Sequence, residues 1–416
     1  MKEFYNFKNK VNVFLYKLSS KLIIFLLSMN AIFLCSLVIR FNLRKIKKIF
    51  CNSKEKRVIV LSKSGGIDDL LASFKKEDIA NKIEFFTLPR NLIKSIFFKF
   101  LNISSYKDYN TLQNDPKILA KRNNYKNTLK KIFIYLNKYW KFDGIIAFNL
   151  FYFAEHTLHE AIHEIKKKSI VIHKESVYPP KEMEYNKILY KKNEPFKGDK
   201  ISVYNEYEKK LLVESGLADN QQIVVNGCSR LDLAFNYENI EPQKSTILYY
   251  MIEKKRFLPG KESFVDWSNL KLNIEKYLID YAIKNPEKKI VFKGKVGVHE
   301  RSDLPEKLPK NCIFLNKNAG HELLKIAKVV VGFNSSVVYE AIAAKKNLIV
   351  PFFNINYSEV KENLLLLPSS IDLVNSEDDF KKKLSLYCSK KFSKKNLSKD
   401  EKEILNFYFG NNDGKS

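Results

Sequence analysis

The sequence predicts an α/β protein made of two Rossmann-like halves, each with a doubly wound parallel sheet. Short apolar runs alternate with helical stretches along most of the chain, which is typical of βαβ units. The chain has 416 residues, enough for two ordinary domains with buried cores. A polar connection over residues 237–244, which contains Pro242, separates two sets of strand-like runs. We therefore expect the two halves to meet there.

The predicted strands are short and rich in Val, Ile, Phe and Tyr, as expected for strands buried in a sheet. In the first half they cover residues 57–62, 82–87, 144–148, 169–173, 201–204 and 223–225. In the second half they cover residues 246–250, 290–293, 313–315, 329–333 and 348–350. Helical patterns lie between them, for example over residues 151–167 and 206–215.

The N-terminal region contains a hydrophobic segment. Residues 22–39 form an uncharged apolar run of 18 residues with basic residues on both sides. As a helix this run would be about 27 Å long, which is marginal for crossing the hydrocarbon core of a membrane. The denser basic cluster follows the run and favours a cytoplasmic location for the rest of the chain. The segment could instead lie in the membrane interface, or form a core helix of the first domain.

The chain is strongly basic, with a formal net charge of +27. Such a charge suggests an anionic partner. The lysines are dispersed, the abundance of Lys, Asn, Ile, Phe and Tyr is that of an AT-rich genome, and no nucleic-acid-binding motif accompanies the charge. We therefore predict no nucleic-acid partner and favour a membrane surface or a polyanionic acceptor.

Cysteine and histidine patterns do not predict a metal site. The cysteines are scattered and form no C-x-x-C pair, which favours a reducing, cytosolic compartment. They are Cys35, Cys51, Cys228, Cys312 and Cys388. Three histidines share a helical stretch but do not match H-E-x-x-H, so we interpret them as ordinary charged helix surface. They are His156, His159 and His163.

Residues 329–351 carry the strongest functional signal, because they predict a strand, a polar turn, a short helix and another strand. Asn334, Ser335 and Ser336 supply N-cap chemistry for a helix over residues 337–344. A helix start at the carboxyl end of a parallel strand is a place where phosphate groups bind. We therefore expect a nucleotide site at this turn.

Glu340 is the only charged residue of that short helix, one turn beyond Ser336 on the same face. A carboxylate in such an apolar helix needs a partner, so a binding role is one interpretation. A first-turn acid that serves only the helix dipole is the other. A capping box is excluded because position 337 is Val.

This segment resembles the donor-site corner of GT-B glycosyltransferases. More narrowly, it is similar to bacterial surface-polysaccharide and capsule-synthesis enzymes and to CDP-glycerol polyol-phosphate transferases. The resemblance implies two doubly wound domains that face each other across an interdomain cleft. It also implies that Ser335 and Ser336, with Asn334 beside them, meet the donor phosphates, and that Glu340 binds sugar or ribose hydroxyls.

A second segment with the same resemblance covers residues 203–232, where Gly227, Arg230 and Asp232 stand at the positions of a Gly-x-x-Arg-x-Asp pattern. Glycine lets the backbone approach a ligand closely, and the Arg230 guanidinium is a planar fork for phosphate. A structural pair between Arg230 and Asp232 is the alternative.

The sequence IVFKGKVGVHE departs from the family, which has a Lys followed closely by His and Pro. Here Lys295 and His299 are displaced and the Pro is missing. Lys293 ends a predicted strand, and we expect it near a donor phosphate as a point charge. His299 is interpreted as an exposed loop residue.

Acceptor-side candidates follow two strands of the first half. Gly65, Gly66 and Asp68 lie in a loop after the first strand, where the glycines permit a tight turn and Asp68 is a candidate base. A plain helix-capping loop is the alternative, because the Walker and dinucleotide spacings are incomplete. His173 and Glu175 close another strand, and either could deprotonate an acceptor hydroxyl.

We predict four segments with different roles. Residues 1–50 are a membrane-associating segment, residues 56–236 an acceptor domain, residues 245–380 a nucleotide-donor domain and residues 381–416 a basic C-terminal tail.

The function that follows is a metal-independent glycosyltransferase at the cytoplasmic face of a bacterial inner membrane. It would move a sugar from a nucleotide-activated donor, its co-substrate, to a glycan or lipid-linked precursor of a surface or capsular polysaccharide, without another cofactor. A CDP-polyol phosphotransferase of the same fold is one alternative. A nonhydrolysing sugar-nucleotide epimerase, or an inactive glycan-binding relative, is another.

Overall fold

The chain divides into two compact units in the computed structural model. The first comprises Met1–Ser176 and Ile188–Asn226, and the second comprises Val177–Lys187 and Gly227–Ser416. The structure describes residues 2–46, 56–63, 66–73, 82–101, 115–174, 176–235, 237, 246–257, 264–295, 297–316, 320–353, 355, 360–371, 373–389 and 396–411. Most of the connection expected between the halves, residues 238–245, lies outside these ranges.

The first unit is built from strands that alternate with helices. Its strands are β1 (Arg44–Lys45), β2 (Lys56–Ser62), β3 (Ile83–Pro89), β4 (Gly144–Ala147), β5 (Lys168–Ile172), β6 (Lys200–Val203) and β7 (Ile223–Val225). Its helices are α1 (Lys2–Ser28), α2 (Ile32–Asn42), α3 (Gly66–Ser73), α4 (Arg90–Phe100), α5 (Pro116–Tyr139), α6 (Phe153–Glu164) and α8 (Glu206–Glu214), with a 3-10 turn at Asn220–Gln222. Helix α7 (Pro180–Tyr190) runs from the second unit's segment into the first unit's.

Within the described residues the first sheet has the order β1-β3-β2-β4-β5-β6-β7. All neighbours are parallel except β1, which is antiparallel to β3. The order reverses at β2, since β3 lies on one side of it and β4 on the other. Alternate residues of β2 enter separate apolar clusters on the two faces, Ile59 and Leu61 in one and Val60 in the other. The sheet is therefore covered on both faces, as in doubly wound proteins.

The expected N-terminal hydrophobic helix is not confirmed as one continuous element over residues 22–39. The apolar run is divided between α1 and α2, which are joined at residues 29–31, where Asn30 has a left-handed backbone with φ 55°. Asn is among the few residues that adopt this conformation readily. Within the described part of the chain, no helix combines the length and the apolar character needed to cross a membrane.

The second unit repeats the architecture. Its strands are β8 (Thr246–Tyr250), β9 (Lys255–Phe257), β10 (Phe264–Asp266), β11 (Lys289–Lys293), β12 (Cys312–Leu315), β13 (Val329–Val331), β14 (Asn347–Pro351) and β15 (Leu373–Val374). Its helices are α9 (Ser229–Phe235), α10 (Ser268–Lys284), α11 (Gly320–Ile326), α12 (Val337–Ala343), α13 (Glu377–Cys388) and α14 (Lys399–Phe409), with 3-10 turns at Arg301–Asp303 and Lys361–Asn363.

The second sheet has the order β12-β11-β8-β13-β14-β15 across the described residues, and its neighbours are parallel. Strands β9 and β10 form a separate antiparallel pair. Because the chain goes from β8 outward to β11 and β12 and then returns to β13, the order reverses between β8 and β13. Open α/β sheets bind ligands outside the carboxyl ends of the strands at such a reversal.

The sequence prediction of an α/β chain with two doubly wound sheets is confirmed by these topologies. Each predicted strand is present, with ends that differ by at most two residues. The short β-branched and aromatic runs mark the strands clearly, because they are buried on both faces.

A clamp made by Asn334 holds the connection after β13. The Asn334 side chain accepts a hydrogen bond from Leu365 N at 2.9 Å and donates one to Asn363 O at 3.1 Å. Its own backbone is left-handed, with φ 45°. Nearby, Tyr339 Oη donates to Leu366 O at 2.6 Å and Leu366 N donates to Tyr408 Oη at 3.0 Å. Helix α14 is thereby tied to α12 through the segment between them.

We expect Asn334→Ala to lower the free energy of unfolding by about 1–3 kcal/mol, because it leaves the Leu365 N–H without its partner and puts a Cβ-bearing apolar residue at positive φ. Asn334→Gly removes the clamp but suits the backbone, so it should cost less than alanine. Denaturant unfolding of both variants measures the difference. An alanine variant that matches the unsubstituted protein would show that the clamp is not stabilising.

Gly66 begins α3 under the ring of Phe148. An added Cβ at Gly66 would lie 2.2 Å from Phe148 Cγ, so the position excludes any side chain. The tight turn that the sequence suggested is therefore not the reason for this glycine, which is set by close packing against β4.

We expect Gly66→Ala to lower the free energy of unfolding by about 1–3 kcal/mol through overpacking. The matched control is Gly332→Ala, whose added methyl would meet Val338 Cγ2 at 3.4 Å and Val337 Cγ2 at 3.9 Å, both ordinary contact distances. Thermal unfolding should show a lower midpoint for Gly66→Ala alone, and equal midpoints would contradict the packing argument.

Candidate functional site

The turn between β13 and α12 presents two serine hydroxyls at the carboxyl edge of the second sheet. Ser335 and Ser336 are both half-buried, and Val338 N donates to Ser335 O at 3.0 Å. Ser336 has helical φ and ψ and makes no side-chain capping bond, so the predicted N-cap role is wrong. The reason is that Asn334 turns the chain through its left-handed backbone and uses its amide in the clamp.

Glu340 lies on α12 next to Arg230 on α9. Arg230 Nε is 3.6 Å from Glu340 Oε1, and the side chains are only 22% and 9% exposed. Two predicted donor-binding residues, 110 positions apart in the sequence, thus lie together within the second unit. A carboxylate this deeply buried is stable as an ion only beside a cation or hydrogen-bond donors. The interpretation of Glu340 as a carboxylate with a specific partner is the one that fits this geometry.

Two tyrosines complete the surroundings of Glu340. Burial raises the pKa of Tyr250 well above its usual range, and the negative charge of Glu340 raises it further. The pKa of Tyr237 is also raised, first by burial and then by Glu322 and Glu340. Both phenols therefore stay protonated and neutral. Tyr250 ends β8, at the reversal of strand order, and donates to Gly320 O at 3.0 Å.

The sequence argument did not select these tyrosines. For Tyr250 the available signal was its place at the end of the strand over residues 246–250, at the edge where parallel strands present their functional side chains.

Lys293 ends β11, directly beside Tyr250 in the sheet register. Its Nζ donates to Gly294 O at 2.5 Å, and burial lowers the pKa of this amine. A half-buried amine at this edge is a cation held close to the end of β8. Its predicted role toward a donor phosphate remains a prediction.

His299 is not the exposed loop residue that the sequence suggested, because it is only 3% exposed. Its Nδ1 accepts from Lys295 N at 3.2 Å, and its Nε2 contacts Ile252 O at 2.9 Å, which requires the proton on Nε2. Burial lowers the pKa of the ring. His299 therefore fastens the loop after β11 to the chain after β8.

A cavity of about 280 Å³ adjoins the same turn. It is mainly apolar and is lined by the end of β13, the start of α12 and the segment after the Lys361–Asn363 turn. The lining includes Phe333, Asn334, Ser335, Tyr339, Phe352, Leu365 and Ile371. An apolar cavity with a few polar groups at its rim is the usual form of a small-molecule site.

In the first unit, basic side chains gather where the strand order reverses between β2 and β4. Lys63 follows β2, Arg90 follows β3, and Tyr152 follows β4. Lys63 Nζ is 4.1 Å and Arg90 Cζ 3.6 Å from the centre of the Tyr152 ring. Arg90 also pairs with Glu155, which is 1% exposed. Burial lowers the pKa of Lys94, and the charges of Arg90 and Lys63 lower it further.

The sequence argument missed this cluster. The signal that could have found it is a basic residue directly after each of two parallel strands, since those positions meet at one edge of the sheet.

The remaining predicted residues of the first unit are not brought into one described site. Gly65, Glu175 and the side chain of Asp68 lie outside the described residues. His173 is 0% exposed and its Nε2 is 3.4 Å from Glu208 Oε1, which is also buried. Among the described residues, neither ring nitrogen of His173 has a hydrogen-bond partner. Gly227, the predicted residue that begins the second unit's main segment, has φ 73°, which explains why glycine is needed there.

Two of the three histidines on α6 are core residues, which corrects their interpretation as helix surface. His159 is fully buried with Nδ1 2.5 Å from Ser169 Oγ, and burial lowers its pKa to about 3. His156 is 9% exposed and its Nε2 contacts Glu194 O at 3.2 Å, while the His163 side chain is 57% exposed. Helix α6 packs between α5 and β5, so only one of its edges faces solvent. In the described part of the chain, no three His, Cys, Asp or Glu side chains are grouped as metal ligands would be.

No protein-family model and no curated protein sequence matches the chain. Among solved structures it is similar to a variant of the wall teichoic acid polymerase TagF, with 12% identity over 76% of this chain and 96% of that one, at a TM-score of 0.43. It is also similar to MnaA of S. aureus in complex with UDP (11% identity, 86% of this chain and 94% of that one, TM-score 0.45).

A third similar structure is the UDP-GlcNAc 2-epimerase of Methanocaldococcus jannaschii with UDP-GlcNAc and UDP (14% identity, 84% of this chain and 98% of that one, TM-score 0.40). The fold assignment itself rests on the two sheet topologies, which are those that the GT-B resemblance predicted.

Proposed function

We propose that the chain is a glycosyltransferase that uses a nucleotide-activated sugar. The observation that carries this proposal is the Arg230–Glu340 pair beside the strand-order reversal of the second sheet. A carboxylate accepts hydrogen bonds from paired sugar or ribose hydroxyls, and a guanidinium fork binds phosphate oxygens. The pair thus offers both kinds of group that a nucleotide sugar requires.

Ser335, Ser336 and Lys293 surround the same edge and would share the phosphate charge with Arg230. In the transfer step, an acceptor oxygen attacks the anomeric carbon and the bond from that carbon to the donor phosphate breaks. The nucleoside diphosphate that leaves carries the new negative charge. Donors fixed in advance around this position stabilise that charge, with no further cofactor in the proposal.

The acceptor is proposed to be a glycan or a lipid-linked precursor that carries phosphate. The support is the cluster of Lys63, Arg90 and Lys94 at the strand-order reversal of the first sheet, which suits an anionic group. A base is still required to take the acceptor hydroxyl proton. Asp68, His173 and Glu175 are the proposed candidates, and His173 would need its ring, which is 0% exposed, to become accessible first.

Polyol-phosphate transfer from a CDP-activated donor is the second candidate. Both ring nitrogens of His299 contact backbone groups, so this histidine is not positioned to exchange protons with a substrate. That observation favours sugar transfer over the polyol-phosphate reaction. Incubation with nucleotide sugars labelled in the sugar, and with CDP-glycerol labelled at the β-phosphorus, decides between them. Label from the phosphorus in the product would overturn sugar transfer, and isomerised nucleotide sugar without acceptor would indicate an epimerase.

Glu340→Gln should weaken nucleotide binding at least tenfold, because it removes the charge that orients Arg230 and accepts from hydroxyls. The midpoint of thermal unfolding should change by no more than about 2–4 °C, since glutamine has the same shape. Calorimetric titration with UDP, CDP and GDP measures the affinity.

The control is Glu287→Gln, in the same unit, with a side chain that is 62% exposed. It should leave both quantities unchanged. Unaltered nucleotide affinity in Glu340→Gln would remove this pair from the donor site, and a large loss of stability would identify Glu340 as a structural acid.

Lys63→Ala should raise the KM for a phosphate-bearing acceptor tenfold or more with little change in kcat, because a hydrogen bond to a charged group is worth about 1.5–3 kcal/mol. Lys56→Ala, at the exposed start of the same strand, is the matched control. An equal KM for an uncharged acceptor and a phosphorylated one in the unsubstituted enzyme would contradict the anionic-acceptor proposal.

A further inference from the structure

Helices α1 and α2 each expose a continuous apolar stripe. On α1 the exposed residues recur at intervals of three or four, which places them on one face of the helix. They are Phe14, Leu18, Leu22 and Phe25, with exposures of 65, 53, 43 and 59%, and Met29, directly after the helix, continues the stripe at 63%. On α2 the corresponding residues are Phe33, Leu34, Leu37 and Phe41, with exposures of 47, 44, 40 and 63%. Single exposed apolar residues need no explanation, but two aligned stripes do.

The opposite flanks of the same helices are fixed in the protein core. Ile23 and Leu26 of α1, and Cys35 and Ile39 of α2, belong to the apolar cluster under the first sheet. The two helices pack on each other, α1 packs on α4, and α2 packs on α5. Each helix is therefore half in the protein, and its stripe faces outward. We call the two stripes together the hairpin face.

The helices that carry and support the hairpin face are almost free of acid. Helices α1, α2, α4 and α5 contain sixteen lysines and arginines and a single acidic residue, Glu3. Part of this charge is used internally, since Lys126 and Lys130 of α5 pair with Glu160 and Glu164 of α6. The exposed remainder gives an apolar surface set in positive charge.

Several of these cations border the hairpin face directly. Lys17 and Lys21 are exposed beside the stripe of α1. Lys99 donates to Ser28 Oγ at 2.7 Å, at the end of α1. Lys138 lies over the ring of Tyr135, which contacts Phe33 edge-on at 5.7 Å. Long basic side chains can keep their ammonium groups at lipid phosphates while their stems cover apolar surface.

We propose that the hairpin face lies in the plane of an anionic lipid bilayer, with both stripes inserted among the acyl chains at the headgroup boundary. Lipid is the occupant that matches both properties of the surface, because anionic headgroups complement the basic helices and acyl chains complement the stripes. The core contacts of α1 and α2 keep these helices parallel to the surface and joined to the first unit. This inference does not depend on the proposed donor chemistry.

The test is co-sedimentation of the full chain with vesicles. Vesicles of phosphatidylcholine with an equal part of phosphatidylglycerol should bind the protein, vesicles of phosphatidylcholine alone should bind it at least tenfold less, and raised salt should weaken binding. The triple variant Leu18→Ser, Phe25→Ser, Phe41→Ser should lose binding at least tenfold, since inserted apolar area supplies the rest of the affinity.

The matched control is Leu272→Ser with Ile283→Ser, two residues of α10 in the second unit that are 57% and 64% exposed. This variant should bind vesicles as the unsubstituted chain does, and both variants should keep its circular dichroism. Equal binding by the triple variant would overturn the proposal. A second outcome would also overturn it: no binding to vesicles, together with a dimer in sedimentation velocity that the triple variant dissociates. In that case a second copy of the chain would cover the face.

Discussion

The candidate site of the second unit depends on one buried ion pair, that of Glu340 and Arg230. Glu340 is buried in a short, mainly apolar helix, and Arg230 Nε lies 3.6 Å from its Oε1. Removing an ion from water costs several kcal/mol, so a pair like this needs further groups to offset its desolvation. The pair also joins α9 to α12, and with them the two chain segments that carried the sequence resemblance.

In the first unit, the distribution of basic residues is the main feature. Its basic residues are divided between the edge of the sheet, where Lys63 and Arg90 meet at Tyr152, and the outer helices, where they surround the hairpin face. One position suits a small anion at a sheet edge and the other suits an extended anionic surface. The basic residues behind the net charge of +27 therefore form two kinds of surface, one the size of a small anion and one the size of an extended anionic surface.

Strands, domain class and the β13–α12 corner could be predicted from the sequence, because each depends on residues that are close together in the chain. What failed depends on packing. Ser336 is a residue type that favours the N-cap, but Asn334 adopts the left-handed backbone conformation that turns the chain, and Ser336 has helical φ and ψ. His159 lies in a run of His and Glu residues that is typical of an exposed helix surface. It is buried because α6 is covered on both sides. The partnership of Arg230 with Glu340 could not be predicted, since nothing local records which residue across 110 positions supplies the cation.

The bond from Tyr339 to Leu366, and from Leu366 to Tyr408, has a consequence for how this protein can change. The wall of the cavity next to Ser335 is shaped jointly by α12, by the segment after Asn363 and, through Tyr408, by a helix that does not line it. Substitutions in α14 can thus alter which molecules fit the cavity, although no residue of α14 contacts those molecules. In related chains, ligand preference would then change with the sequence of the helix that corresponds to α14, while Asn334, Ser335 and Ser336 stay the same.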